Sequence, residues 1–181
     1  MKIATRDWHP SDHISFASNH PGASPYISTT TVINPSNPSE TYESRLWPDH
    51  CIQGTSGAQL VPELDRSKID AVVDKGMRKE VEMYSAFFDP LQKPRISDSG
   101  LSGMLKSKGI TDVYVVGLAA DYCVKFTAID AAKEGFRTFV IEEGTRAVDP
   151  GTWSETKAEL SSQRVDVIDM ASGELRKVFG G

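Results

Sequence analysis

From Ile69 to Met170 the chain alternates short, β-branched apolar runs with stretches of helical period. That alternation constrains the fold more than any other feature, because strand–helix–strand units return parallel and right-handed within one sheet. The runs are "IDAVVDKG" (69–76), "TDVYVVGL" (111–118), "FRTFVIEEG" (136–144) and "VDVIDM" (165–170). The second is apolar on both faces, as buried parallel strands are. Between them, "SGLSGMLKSKGI" (99–110) starts near Ser and stops at a glycine cap. "DYCVKFTAIDAAKEG" (121–135) sets Val124, Ala128, Ala131 and Ala132 at helical spacing, with Asp121 as N-cap and Gly135 as C-cap. "DPGTWSETKAELSSQ" (149–163) is a third helix. The expectation is an α/β fold: a single domain over 1–181, with a mostly parallel twisted sheet and helices on both faces, three layers in the Rossmann manner.

Several function classes fall away on bulk properties. A chain of 181 residues, 39% hydrophobic and 25% charged, has the size and balance of one soluble domain. A net charge of -5 opposes nucleic-acid binding, which needs a basic face. No apolar run approaches the roughly 18 residues that cross a bilayer, so no membrane association is expected. The start, "MKIATRDWHP", lacks the apolar centre of a signal peptide. Two cysteines, Cys51 and Cys123, make no disulfide framework. A cytoplasmic or nucleocytoplasmic enzyme is the expectation.

Residues 10–60 have a different texture, rich in Ser, Pro, Asn, Thr and His, and they read as long irregular loops. All four histidines (His9, His13, His20, His50) lie within the first fifty residues. In "TRDWHP" (5–10), an extended backbone turns Asp7 and His9 to the same face. In "LWPDHCIQGTSGAQL" (46–60), His50 sits in a tight Pro-containing turn. Asp7, His9 and His50 make an oxygen–nitrogen–nitrogen donor set suited to Zn²⁺, with positions left for water or substrate. The alternative leaves His50 capping a turn and His13 and His20 in solvent.

Two further features carry chemistry. In "GLAADYCVKF" (117–126) a strand runs through a turn of small residues into a helix beginning near Cys123. A thiol at a helix N-terminus feels the positive end of the dipole, which favours thiolate, and turn amides can face a developing oxyanion. The alternative is a buried structural cysteine. Lys75 closes another strand, where an ammonium can stabilise thiolate and transition-state charge; the alternative is an ordinary surface lysine.

Taken together, "RDWHPSDHISFASNH", "WPDHCIQGTSGAQL", "DKGMRKEVEMYSAFFD" and "GLAADYCVKFTAIDAAKEGF" resemble the nicotinamidases of the cysteine-hydrolase (isochorismatase-like) superfamily, in order and spacing over nearly the whole chain. The resemblance implies a zinc or similar divalent ion on Asp7, His9 and His50, Cys123 as nucleophile and Lys75 as the catalytic lysine. It implies Trp8 and Tyr84 as aromatic walls of the substrate pocket, an oxyanion hole from the amides of Ala119 and Cys123, and a cis peptide at Leu118–Ala119. Some relatives add a Ser or Glu ligand, for which Ser18 is the candidate here. The implied activity is hydrolysis of nicotinamide to nicotinate and ammonia in NAD salvage, through a cysteine thioester, and a homo-oligomer is left open. One departure stands out: the family's strand with a "VDxQxDF" motif, whose Asp is the general base, has no counterpart in this chain. The alternatives are therefore an impaired homologue that binds metal, a pyridine ligand or a partner, and an amidase for another small carboxamide such as pyrazinamide.

Overall fold

The run Ile-Ala-Thr-Arg-Asp forms the first strand, β1 (Ile3–Asp7), in a computed structural model that describes residues 1–179. Contacts group the chain into two compact units, Met1–Ser99 and Gly100–Gly181.

In the first unit, β1 pairs in parallel with β4 (Ala71–Lys75) in a register running from Ile3 opposite Ala71 to Asp7 opposite Lys75. Both strands therefore stop at the same end, which sets a carboxylate beside an ammonium. Between them in sequence lies an antiparallel hairpin, β2 (Thr29–Asn34) and β3 (Asn37–Arg45), with an irregularity at Ile33/Asn34. The reading of 10–60 as irregular loop is thus wrong over this hairpin. Its runs, "TTTVIN" and "ETYES", are β-branched and aromatic but polar, so their strand signal lies in propensity and not in hydrophobicity. The turn is anchored by buried Asn34, whose Oδ1 accepts from the Ser36 amide while its Nδ2 donates to Glu40 and to the Pro94 carbonyl. Phe16, Val32, Leu46, Val81, Phe87 and Leu91 are fully buried in this unit.

The second unit is a parallel sheet, β5 (Asp112–Leu118), β6 (Arg137–Arg146) and β7 (Val165–Ile168), in spatial order 5-6-7. Helices α1 (Leu101–Ser107), α2 (Lys125–Lys133), α3 (Trp153–Ser162) and α4 (Gly173–Phe179) accompany it. The central strand is buried from Thr138 to Ile141, alternating side chains included, so both its faces are covered. Helices α2 and α3 pack on the sheet through Val115, Val124, Ala128, Ile129, Val140, Leu160 and Val165. Each fully buried aliphatic side chain of this kind contributes about 1.5–3 kcal/mol. The α/β class with parallel sheets and flanking helices agrees with the sequence expectation.

Two local expectations are corrected. The strand read as buried on both faces is an edge of its sheet: among the described residues β5 pairs with β6 alone, and Val116 is 54% and Leu118 73% exposed. Asp121 does not cap α2. It lies within a single π-helical turn, Ala120–Val124, that leads into α2, and the residue before that turn is Ala119. The buried Asp121 carboxylate instead accepts from the amides of Val148 (2.9 Å) and Asp149 (3.0 Å), tying down the segment after β6. Among the described residues, no helix is long and apolar enough to cross a membrane.

Candidate functional site

The end of β1 continues extended as Trp8-His9-Pro10, and the backbone there is held on two sides. The Trp8 amide donates to the Lys75 carbonyl at the end of β4 (2.9 Å). On the other side the His9 amide donates to the Cys51 carbonyl (3.0 Å), the Gln53 amide donates to the His9 carbonyl (2.8 Å), and Gln53 Nε2 donates to the Trp8 carbonyl (2.7 Å). These bonds hold the 50–53 loop against 8–9 and bring His50 to Asp7. The donor atoms of Asp7, His9 and His50 all lie within 4.8 Å of one another.

The orientation of each imidazole follows from its other nitrogen. His9 Nδ1 sits 2.8 Å from the Gly76 carbonyl and His50 Nδ1 sits 2.8 Å from the Pro48 carbonyl. A carbonyl only accepts, so both rings carry the proton on Nδ1 when neutral and present the Nε2 lone pair. Those Nε2 atoms are 3.9 Å (His9) and 3.8 Å (His50) from Asp7 Oδ2. Ligands about 2.0–2.1 Å from a tetrahedral ion lie roughly 3.4 Å apart, so each imidazole nitrogen stands about half an ångström beyond that spacing from Asp7. Two imidazoles oriented by carbonyls, plus one carboxylate, fit such an ion.

Electrostatics bind this cluster to Lys75. The other Asp7 oxygen, Oδ1, is 2.6 Å from Lys75 Nζ, and the buried Lys75 also donates to the Met83 carbonyl (3.1 Å). Burial works to raise the Asp7 carboxyl, but the Lys75 ammonium and His9 outweigh it and hold it below the usual carboxylate range. Burial lowers His9, against the opposing pull of Glu82 and Asp7. The neighbouring ring of His13, 4.2 Å from His9 between centroids, is fully buried and pushed down to about 4 by desolvation. Its Nδ1 accepts from the Ser15 amide, which leaves Nε2–H to donate to the Val81 carbonyl (3.2 Å). His20 is half-buried with Nε2 on the Ile14 carbonyl. The alternative that put His13 and His20 in solvent therefore fails for His13 altogether.

The other residues singled out from sequence fall as follows. Trp8 is half-buried beneath the Arg6 guanidinium, 4.2 Å from its ring centroid. Tyr84 is half-buried, and its hydroxyl accepts from Trp47 Nε1 (2.9 Å) and lies 3.2 Å from Ser44 Oγ. The Ser18 hydroxyl donates to Asp49 (2.5 Å). In the second unit the Leu118–Ala119 peptide is cis, and the Ala119 carbonyl accepts from the Tyr122 and Val124 amides as the chain enters the π-turn. Cys123 lies in that turn, half-buried, one turn before α2. Reading the sequence missed Gln53, Gly76 and the buried Glu82. Only Gly76 left a signal, as a glycine directly after a strand-ending lysine.

Residues 17–172 match the isochorismatase domain, and the chain belongs to that family. Within it, the similarity is to nicotinamidases. The chain is 44% identical over 147 residues to the nicotinamidase of Acinetobacter baylyi, covering 81% of this chain and 64% of that protein, a little under two thirds of its length. The structure of the yeast nicotinamidase Pnc1p bound to the inhibitor nicotinaldehyde superposes with a TM-score of 0.84 at 40% identity, over 92% of this chain and 78% of that one. A pyrazinamidase of Pyrococcus horikoshii in complex with zinc superposes with a TM-score of 0.67 at 28% identity, over 93% and 74%.

Proposed function

We propose that the chain is a nicotinamidase-type amidohydrolase that releases ammonia from nicotinamide, and that residues 1–181 serve it as one isochorismatase-like domain. The observation that carries this reading is the Asp7–His9–His50 donor set, standing in a chain 40% identical to a nicotinamidase over 92% of its length. Cys123 is the nucleophile. Its sulfur adds to the carboxamide carbon, and charge passes to the amide oxygen, which the Ala119 and Cys123 amides receive. The thiol proton ends on the departing nitrogen, ammonia leaves, and water cleaves the thioester to nicotinate and restores the thiol. Lys75 supplies the positive charge that favours negative charge in these steps. Trp8 and Tyr84 offer aromatic faces for a pyridine ring. Asp7, His9 and His50 hold a divalent ion, for which zinc suits the donors; when bound, it supplies a Lewis-acid point for the pyridine nitrogen and for water. A small carboxamide needs neither nucleic acid nor membrane, and the reading fits a cytoplasmic enzyme.

The test is ammonia release from nicotinamide and pyrazinamide by the zinc-loaded protein. Turnover of nicotinamide that Cys123→Ala abolishes is expected. Binding of nicotinamide without ammonia release would overturn the enzyme in favour of a metal- and pyridine-binding homologue.

A further inference from the structure

The three-ligand cluster depends on a residue that carries no side chain. We propose that Gly76 is a positioning residue for His9: its carbonyl holds the imidazole in the Nδ1–H form, and its missing Cβ makes room for the ring. The inference rests on the metal reading above and adds a residue to it.

Gly76 follows Lys75 at the end of β4, with φ +64°. A Cβ built on it would stand 2.3 Å from His9 Cε1 and 2.6 Å from Nδ1, where non-bonded carbon atoms do not approach. The ring cannot withdraw, because it is only 1% exposed and lies against His13 (4.2 Å), His50 (5.0 Å) and Phe16 (5.6 Å) between centroids. Its backbone cannot withdraw either, since both His9 peptide groups are bonded into the 51–53 loop. A side chain at 76 must therefore turn the imidazole. Turning it breaks the 2.8 Å bond from Nδ1 to the Gly76 carbonyl. That bond is the one that keeps the Nε2 lone pair free for an ion shared with Asp7. Lost partners of this kind typically cost about 10–100-fold in metal affinity.

The left-handed backbone alone gives a second reason for glycine, and a control separates the two. Gly22 has φ +78° and open space around its missing Cβ. Gly22→Ala therefore carries the same backbone strain without touching His9. The experiment compares parent, Gly76→Ala and Gly22→Ala by zinc affinity and by the visible spectrum of the cobalt-substituted protein. It also reads the His9 tautomer in metal-free protein at pH 8 from long-range nitrogen–proton NMR. The expected result is a roughly 10–100-fold loss of zinc affinity and an altered cobalt spectrum in Gly76→Ala. Gly22→Ala should match the parent in both. In the parent, the proton should sit on His9 Nδ1. Parent-like affinity and spectrum in Gly76→Ala would overturn the proposal. So would a parent His9 protonated on Nε2, a reading that needs no variant to fold. Parent protein that takes up no zinc while His9 keeps the Nδ1 proton would instead bring down the metal reading.

Discussion

The Asp7–His9–His50 cluster and the turn from Leu118 to Val124 present reactive groups by opposite means. The cluster gathers three side chains from two segments some forty residues apart in sequence, held by loop hydrogen bonds between 8–9 and 51–53. The turn is one contiguous stretch, where strand, cis peptide and π-turn set the position of a single sulfur. A site assembled from distant loops is exposed to every partner that orients its ligands, whereas a site built into one strand–helix junction is exposed mainly to its own backbone. The two cysteines show the contrast. Cys51 stands in the cluster's loop, and burial, aided by the Asp7 carboxylate, pushes its thiol up although Lys75 offsets part of this. A raised thiol is a poor nucleophile at neutral pH.

The largest effect expected from this contrast is on turnover. Cys123→Ala should reduce ammonia release by about 10⁴-fold or more, as nucleophile removal does elsewhere, while zinc content stays that of the parent. Cys51→Ala should keep most of the rate, and mild alkylation with peptide mapping should label Cys123 first. Preferential labelling of Cys51 would reverse the assignment. Next comes the metal: the parent should bind about one divalent ion, and His9→Ala with His50→Ala together should bind none tightly, because one remaining protein ligand is too few. Metal analysis of purified protein decides, and unchanged stoichiometry would break the cluster reading.

How much of this was legible in the sequence follows the same division. The second half could be read almost element by element, because buried strands and amphipathic helices write their period into apolar residues such as Val115, Val140 and Leu160. The cluster's ligands were readable as residue types, since "DWH" and "PDH" are compact. Their orienting partners were not: the Gly76 and Pro48 carbonyls are backbone atoms, which no side-chain pattern announces. The β2–β3 hairpin was hidden for another reason, its polar exposed face. Asp121 misled because a carboxylate at a helix start serves either its own helix or a neighbouring loop, and only tertiary contact chooses.

Acid stability should divide the two regions as well. All four histidines lie within residues 1–50, and His13 is fully buried with its pKa pushed down to about 4. Between pH 4 and about 6.5 the unfolded imidazole is protonated while the folded one is not. The unfolded state then binds the extra proton, so stability falls as pH drops through that window, and above about 6.5 the effect vanishes. The full cost approaches about 3 kcal/mol. Thermal melts of metal-free parent and His13→Gln across pH 4–7 should show a shallower acid slope in the variant. Equal slopes would place the acid sensitivity elsewhere.

The smallest effect tests whether the second region is as local as its geometry makes it. The Asp121 carboxylate satisfies two amides, of Val148 and Asp149, in the segment that follows β6. Asp121→Ala leaves both donors without it. Val148 is 41% exposed, so water reaches that segment and replaces part of the lost bonding. The loss should therefore sit near the lower end of the range for unsatisfied groups, about 1–2 kcal/mol. For a chain of this size that is a fall of roughly 2–8 °C in Tm. Asp121→Asn retains one acceptor oxygen and should fall between variant and parent. Both Asp121 bonds stay within residues 100–181, whereas Asp7, His9 and His50 are oriented by bonds within residues 1–99, so zinc affinity should hold in both variants. A Tm loss accompanied by a parallel loss of zinc affinity would show that the turn and the cluster are energetically one site, and the division drawn here would fail.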